Sequence, residues 1–175
     1  PMLWAEGHTA VAPEVDDYQG ELIFTEDDLA ERYRELAPRG QIDLVVIGCP
    51  QASVGEARAV AAAARARMEL GEIILDQRLW IFMSAHNHDL ISVDGTLDVL
   101  EESGALVLRD TCPEVTPYNR SRYNHLLTNS LKAEHYLTSG LNRMPTSVTS
   151  IGECVAHAFD PTLAAGERNS CSRGK

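Results

Sequence analysis

Residues 42–48 read "IDLVVIG", and residues 53–70 follow with "SVGEARAVAAAARARMEL". The first stretch is an apolar run of strand length, and the second has the composition of a helix. Ser53 and Glu56 have the spacing of a capping box, in which the serine hydroxyl and the glutamate carboxylate each bind a backbone N–H of the first turn. Together the two stretches predict a strand followed by a helix.

The same rhythm continues along the chain. Strand-like runs occupy residues 79–85, 105–110 and, as a shorter candidate, 146–151. Helix-like runs occupy residues 94–103, 129–139 and 153–159, and Thr25 begins an earlier helix at its acidic first turn. Apolar strands that alternate with helices are typical of a parallel sheet covered on both faces. We therefore predict an α/β fold with a mainly parallel sheet and helices on both faces.

The predicted elements define the domain organisation. With 175 residues, the chain has the size of one ordinary domain. Residues 1–24 lack a clear periodicity and are predicted to be irregular. Residues 25–160 form the α/β domain, and the small, polar residues 161–175 are expected to be a flexible C-terminal tail.

Charge and composition exclude several classes of function. Fifteen basic and 26 acidic residues give a net charge of −11, which argues against binding to nucleic acids or anionic membranes. The longest apolar run is far shorter than the roughly 20 residues that span a bilayer. The four cysteines are then expected to be thiols or metal ligands in a cytoplasmic protein rather than a disulfide framework.

The side chains that could react or bind a ligand follow the predicted strands. The segments after the strands read "GCPQAS", "SAHNHD", "DTCPEV" and "GEC", and ligands bind outside the carboxyl ends of strands in parallel sheets. Cys49, Cys112 and Cys154 are therefore predicted at one edge of the sheet. Cys112 is either a small buried hydrophobe or a sulfur that faces a shared crevice.

Each of these residues has a structural alternative. Cys49 is favoured as a buried structural thiol, and Ser53 as a helix cap. His86 and His88 are favoured as polar loop residues, and Lys132 and His135 fit ordinary helix surfaces. No C-x-x-C spacing indicates zinc. The residues by themselves therefore indicate an α/β domain with a possible thiol-bearing site.

Several segments together resemble the aconitase X family, whose members are dehydratases distantly related to aconitase. These segments are "GCPQASVGE", "RDTCPEVTP", "TNSLKAEHY", "RMPTSV" and "GECVAHA". They occur in the family's order between about residues 42 and 159. The resemblance implies an aconitase-like domain.

The resemblance also implies a cofactor and a set of site residues. Cys112 and Cys154 match ligands of an iron–sulfur cluster, and Lys132 matches a catalytic residue. The matched substrate-binding residues are Gln51, Ser53, Thr128, Asn129, Ser130 and His135. Gln51 stands where the family pattern has histidine, and an amide cannot carry a proton at neutral pH, which puts acid–base work at this position in doubt.

The implied activity is a hydro-lyase that eliminates water from a small hydroxy acid. We favour cis-3-hydroxy-L-proline as the substrate, with mevalonate 5-phosphate as the alternative if Arg120, Arg122 and Arg143 form a basic pocket. The chain resembles only the C-terminal half of the family's catalytic region. We expect it to be inactive without the N-terminal half and a swivel domain or small subunit, where the general base is expected.

Two other functions remain open from the sequence. The chain could be a non-catalytic interaction subunit that binds a second chain and holds no iron. It could also be an enzyme in which Cys112 is a nucleophile activated by a histidine. Rapid alkylation of the thiol would distinguish such a nucleophile from a cluster ligand.

Overall fold

The computed structural model describes residues 22–74 and 77–159. The predicted tail at 161–175 and most of the predicted irregular segment at 1–24 lie outside the described residues. The domain boundaries therefore stay predictions.

The described residues form six helices and five strands. The helices are α1 (Glu26–Glu35), α2 (Val54–Met68), α3 (Ala85–Val93), α4 (Thr96–Glu102), α5 (Leu131–Ser139) and α6 (Ile151–Phe159). The strands are β1 (Leu44–Ile47), β2 (Leu79–Met83), β3 (Leu106–Arg109), β4 (Leu126–Thr128) and β5 (Thr146–Val148).

The five strands form one sheet in the order β3-β2-β1-β4-β5. Every neighbouring pair is parallel, which confirms the predicted parallel sheet. The chain moves outward from β1 to β2 and β3, and then returns to the other side of β1 for β4 and β5. A parallel sheet of this kind binds ligands where the strand order reverses, beyond the carboxyl ends of the strands.

Both faces of the sheet are covered, as predicted. Side chains alternate along a strand, so Val45 and Ile47 pack in one core with helices α2, α4 and α6. Leu44 and Val46 point the other way, into a second core with α5 and the loop that contains Tyr118.

Two elements were not predicted from the sequence. Strand β4 has only three residues and no clear strand pattern in the sequence, yet it is an interior strand between β1 and β5. Helix α3 occupies the segment predicted to be a loop around His86 and His88. It begins directly after β2 because the Ser84 hydroxyl accepts the Asn87 backbone N–H at 3.2 Å and caps the first turn.

Candidate active site

A cleft of about 760 Å³ lies at the carboxyl edge of the sheet. Its walls are the segments that follow β1, β2 and β3, together with one face of α5. The lining residues are Cys49, Pro50, Gln51, Ser84, Asn87, Asp110, Thr111, Cys112, Glu114, Val115, Lys132 and Tyr136. The cleft therefore brings together residues that are far apart in the sequence, at the place expected for a parallel sheet.

The turn after β1 depends on a glycine. Gly48 has a φ of +108°, and a Cβ atom at this position would lie 2.1 Å from the carbonyl oxygen of Phe82. The same carbonyl accepts the Ala52 N–H at 2.7 Å. Because the chain folds back so closely on β2, Cys49 is directed to the cleft instead of continuing the strand.

Side-chain hydrogen bonds join the loops of the cleft to one another. The Ser130 hydroxyl donates to the Cys49 carbonyl at 2.7 Å, and the Gln51 amide donates to the Thr111 carbonyl at 3.3 Å. The Asn87 amide donates to the Ala52 carbonyl at 3.0 Å. These contacts fix the relative positions of the segments that carry Cys49 and Cys112.

Asp110 connects the segment after β3 to the segment after β2. It has a φ of 52°, a left-handed conformation that aspartate adopts more readily than most residues. Its carboxylate accepts the Ala85 N–H at 2.7 Å, at the start of α3. A negative charge at a helix N-terminus is favourable, so this carboxylate is already used to support α3.

Two thiols face the cleft. Cys49 and Cys112 are each partly buried and free of disulfide bonds. Burial raises the pKa of the Cys49 thiol, while the nearby Lys132 ammonium opposes that shift. The sequence favoured Cys49 as a structural thiol, yet it lines the same cleft as Cys112.

Cys154 does not line this cleft. It lies on α6 and is fully buried in the apolar core with Val155, Ala158 and Phe159. Burial raises the pKa of its thiol well above the ordinary value, so the metal-binding thiolate form is disfavoured. The expected meeting of Cys112 and Cys154 at one cleft is thus not seen, and the assignment of Cys154 as a ligand stays a prediction that its burial disfavours.

Lys132 provides the positive charge of the cleft. Among the lining residues that the structure describes, it is the only lysine or arginine, and its Nζ lies 5.9 Å from the centre of the Tyr136 ring. Asp110 and Glu114 provide carboxylates. The Glu114 Oε1 accepts the Leu141 N–H, whereas its Oε2 is buried without a hydrogen-bond partner among the described residues.

The predicted substrate-binding residues have mixed positions. Gln51 lines the cleft. Ser130 does not line it, but its hydroxyl donates to the carbonyl of the lining residue Cys49. Ser53 caps α2 together with Glu56, and the Asn129 amide donates to the same glutamate at 3.2 Å.

Thr128 and His135 also lie outside the cleft lining. Thr128 is fully buried at the end of β4, and its hydroxyl oxygen has no partner among the described residues. The exposed His135 ring packs against that of Tyr136 with 5.5 Å between the ring centres.

Six polar or aromatic residues of the cleft were not predicted as site residues, and Thr111 is one of them. Asp110 and Glu114 belong to the quoted segment around Cys112, and Ser84 and Asn87 belong to the segment after β2. Their position directly after predicted strands was the available signal. Tyr136 gave no comparable signal, because it reaches the cleft from one turn inside α5.

The three arginines considered for a phosphate pocket lie elsewhere. Arg120, Arg122 and Arg143 precede β4 and β5, and therefore lie at the amino edge of the sheet, opposite the cleft. Arg120 donates to the Arg143 carbonyl at 3.1 Å, and the guanidinium of Arg122 lies 5.2 Å from the Tyr123 ring centre. None of the three lines the cleft.

Comparison with known proteins identifies the family. The family model described as the aconitase X third domain matches residues 42–160. The phosphomevalonate dehydratase large subunit of Methanocaldococcus jannaschii is 31% identical over 114 residues, which are 65% of this chain and 27% of that protein. The corresponding large subunit of Aeropyrum pernix is 33% identical over 112 residues, 63% of this chain and 27% of that protein.

A solved structure has the same fold. The crystal structure of Thermococcus kodakaraensis aconitase X (holo-form) matches with a TM-score of 0.68 and 24% identity, covering 83% of this chain and 37% of that chain. The chain spans about a quarter of the length of the curated relatives that it matches. The matched third domain covers most of the described fold, and the chain belongs to the aconitase X family.

Proposed function

We propose that this chain contributes part of the active site of a hydro-lyase that removes water from a small hydroxy acid. The observation that carries the proposal is the cleft where Cys49, Cys112 and Lys132 meet at the carboxyl edge of the sheet. Thiols and an ammonium group can hold, respectively, a metal centre and an anionic substrate. Membership of the aconitase X family supports this reading.

The ligands available in this chain fit part of an iron–sulfur site. Cys49 and Cys112 are thiols in a shared cleft, and thiolates are the usual cluster ligands. No group of three or more His, Cys, Asp or Glu residues within 22–74 and 77–159 could hold a metal ion. Cys49 and Cys112 would therefore bind a cluster together with ligands from outside the described residues, and the bound cluster would supply a Lewis acid for the departing hydroxyl group.

The remaining cleft residues would bind and orient the substrate. Lys132 would pair with a substrate carboxylate. Gln51 would hydrogen-bond to the substrate with its carbonyl oxygen or with its second amide N–H, because one N–H already donates to the Thr111 carbonyl. We assign no general base to this chain and expect that group on a swivel domain or small subunit.

Mevalonate 5-phosphate becomes the first substrate candidate. The relatives that match at 31–33% identity are named phosphomevalonate dehydratase large subunits. A phosphorylated substrate needs cationic partners, and Lys132 alone supplies one from the described lining residues. Further cations would have to come from outside the described lining residues.

The second candidate, cis-3-hydroxy-L-proline, is favoured by the charges of the cleft. One ammonium and the two carboxylates of Asp110 and Glu114 complement a zwitterion, which carries both a carboxylate and a cationic amine, better than they complement a phosphate. The names of the relatives outweigh this argument, because the cleft is only part of the site.

The proposed partners are supported by the relatives, which are named large subunits and of whose length this chain spans about a quarter. A complete enzyme would add the preceding part of the large subunit and a swivel domain or small subunit. Within the described residues no helix is both long enough and apolar enough to cross a bilayer. The acidic composition and free thiols support a cytoplasmic location, which we also propose.

Anaerobic reconstitution tests the proposal. Iron and sulfide would be added to this chain, alone and with the partner polypeptides, followed by iron counts, EPR spectra and dehydration assays with both substrates. We expect a cluster and turnover only in the assembled protein. Cys112→Ser and Cys49→Ser should lose iron while Cys154→Ser retains it. Turnover by the chain alone, or full iron binding by Cys112→Ser, would contradict the proposal.

A further inference from the structure

The Ser130 hydroxyl connects two elements at the cleft. It accepts the Ala133 N–H at 3.2 Å and so caps the N-terminus of α5. It also donates its own proton to the carbonyl oxygen of Cys49 at 2.7 Å. One hydroxyl therefore joins the start of α5, which carries Lys132, to the loop that carries a cleft thiol.

The cap of α2 provides a contrast within the same molecule. The Ser53 hydroxyl accepts the Glu56 N–H at 3.1 Å, much as Ser130 accepts an N–H in its own helix. The Ser53 hydroxyl, however, donates to the Glu56 carboxylate at 2.9 Å. This cap is complete within its own helix, whereas the Ser130 cap extends to a neighbouring loop.

The Ser130 contact links the Cys49 loop to α5, whereas the loop's other hydrogen bonds go to β2 and to the segments after β2 and β3. The Ala52 N–H donates to the Phe82 carbonyl of β2, and Gly48 passes close to the same carbonyl. On the α5 side, the Cys49 carbonyl contact holds the residue that bears the thiol. Ser130 itself does not line the cleft, and both of its hydrogen-bonding roles are already satisfied by the protein.

We propose that Ser130 is a positioning residue that holds the Cys49 loop against α5, so that the Cys49 thiol and Lys132 face the same cleft. This assignment rests on the proposed function only in taking the cleft as the active site. It differs from the substrate-binding role that the family resemblance implies for Ser130. A residue in this role acts through the backbone of Cys49 and makes no contact with substrate.

The test compares three variants of the full 175-residue chain without metal or substrate. Ser130→Ala removes the cap and the connection, Ser130→Thr keeps a hydroxyl, and Ser53→Ala removes a cap at the other end of the Cys49 loop, whose hydroxyl bonds only to Glu56 of its own helix. The rate of Cys49 alkylation by iodoacetamide would be followed by peptide mass spectrometry. Hydrogen exchange of the amides in residues 48–52 would be measured on the same samples, which leaves out the Ser53 amide because it belongs to the α2 cap.

Ser130→Ala should raise the Cys49 alkylation rate roughly fivefold, the factor that corresponds to one lost hydrogen bond. Ser130→Thr and Ser53→Ala should remain within about twofold of the original chain. The proposal is overturned if Ser130→Ala leaves both readouts unchanged, or if Ser53→Ala changes them equally. Since neither metal nor substrate is present, this result is independent of whether the chain belongs to a dehydratase.

Discussion

Cys112 and Cys154 occupy two contrasting regions of the molecule. Cys112 lies in the loop after β3, partly exposed in a cleft with charged and polar neighbours. Cys154 lies on α6 with no exposed surface, among apolar side chains that cover the sheet. Both cysteines belong to segments that resemble the same family, yet only one faces the cleft. A matching motif thus locates a residue in the chain without fixing its surroundings.

Local geometry explains the difference. The residues after β3 leave the carboxyl edge of the sheet, where the chain has no neighbouring strand to pair with. Cys154, Val155 and Ala158 fall on one side of α6 because residues one turn apart share a helix face. That side packs on α2 and β1, so the Cys154 thiol fills space in the core.

The largest expected difference between these regions is in chemical reactivity. In the native, metal-free chain, iodoacetamide should modify Cys112 at least about 100-fold faster than Cys154, since reagent can reach Cys154 only after the core opens. Peptide mass spectrometry of samples taken over time measures both rates. Urea should abolish the difference. Similar rates in the native chain would show that α6 does not protect its thiol.

Serine substitution of the two cysteines should lower the free energy of unfolding by different amounts. Cys154→Ser places a hydroxyl in an apolar core and should lower the free energy of unfolding by about 2 kcal/mol. Cys112→Ser, at a partly exposed site, should change it by less than about 0.5 kcal/mol. Urea denaturation measures both values, with Cys154→Ala as the control for lost volume. A larger loss from Cys112→Ser would contradict the contrast between core and cleft.

The core thiol should also make stability depend on alkaline pH. Burial raises the pKa of the Cys154 thiol in the folded chain. The unfolded chain therefore loses this proton first, at about pH 8.5, which is the ordinary cysteine pKa. Stability is therefore unaffected below that pH and falls above it, by about 1 kcal/mol between pH 8 and pH 9.5. Urea denaturation over this range should show a shallower fall for Cys154→Ala. Parallel curves would contradict this assignment.

The smallest expected effect concerns the wall of the cleft. Asp110→Ala removes the hydrogen bond to the Ala85 N–H and should lower the free energy of unfolding by about 1 kcal/mol. Asp110→Asn can still accept this N–H and tolerates a positive φ, so its cost should stay below about 0.5 kcal/mol. Thermal denaturation of both variants checks the order. Equal losses would show that the hydrogen bond contributes little.

Part of the site could be predicted because it depends on local sequence. Cys112 follows an apolar run, and the carboxyl end of such a strand indicates a crevice. Gln51 lies in the corresponding segment after β1, although its binding role was implied only by the resemblance. Cys49 follows β1 in the same way, but it was predicted to be a buried structural thiol because free cysteine is often buried. Thr128 and His135 were assigned by resemblance alone, and their distance from the cleft depends on how β4 and α5 pack.

The sequence by itself determined the parallel α/β architecture, because strand and helix periodicities and the Ser53–Glu56 cap are encoded within a few neighbouring residues. Only the tertiary structure decided that β4 enters the sheet beside β1, that Cys49 joins Cys112 at the cleft, and that the Cys154 side of α6 is buried in the core. These outcomes depend on close contacts between distant segments, such as Gly48 against the Phe82 carbonyl and Ser130 against the Cys49 carbonyl. No local pattern encodes such contacts, since they arise from the packing of the whole chain.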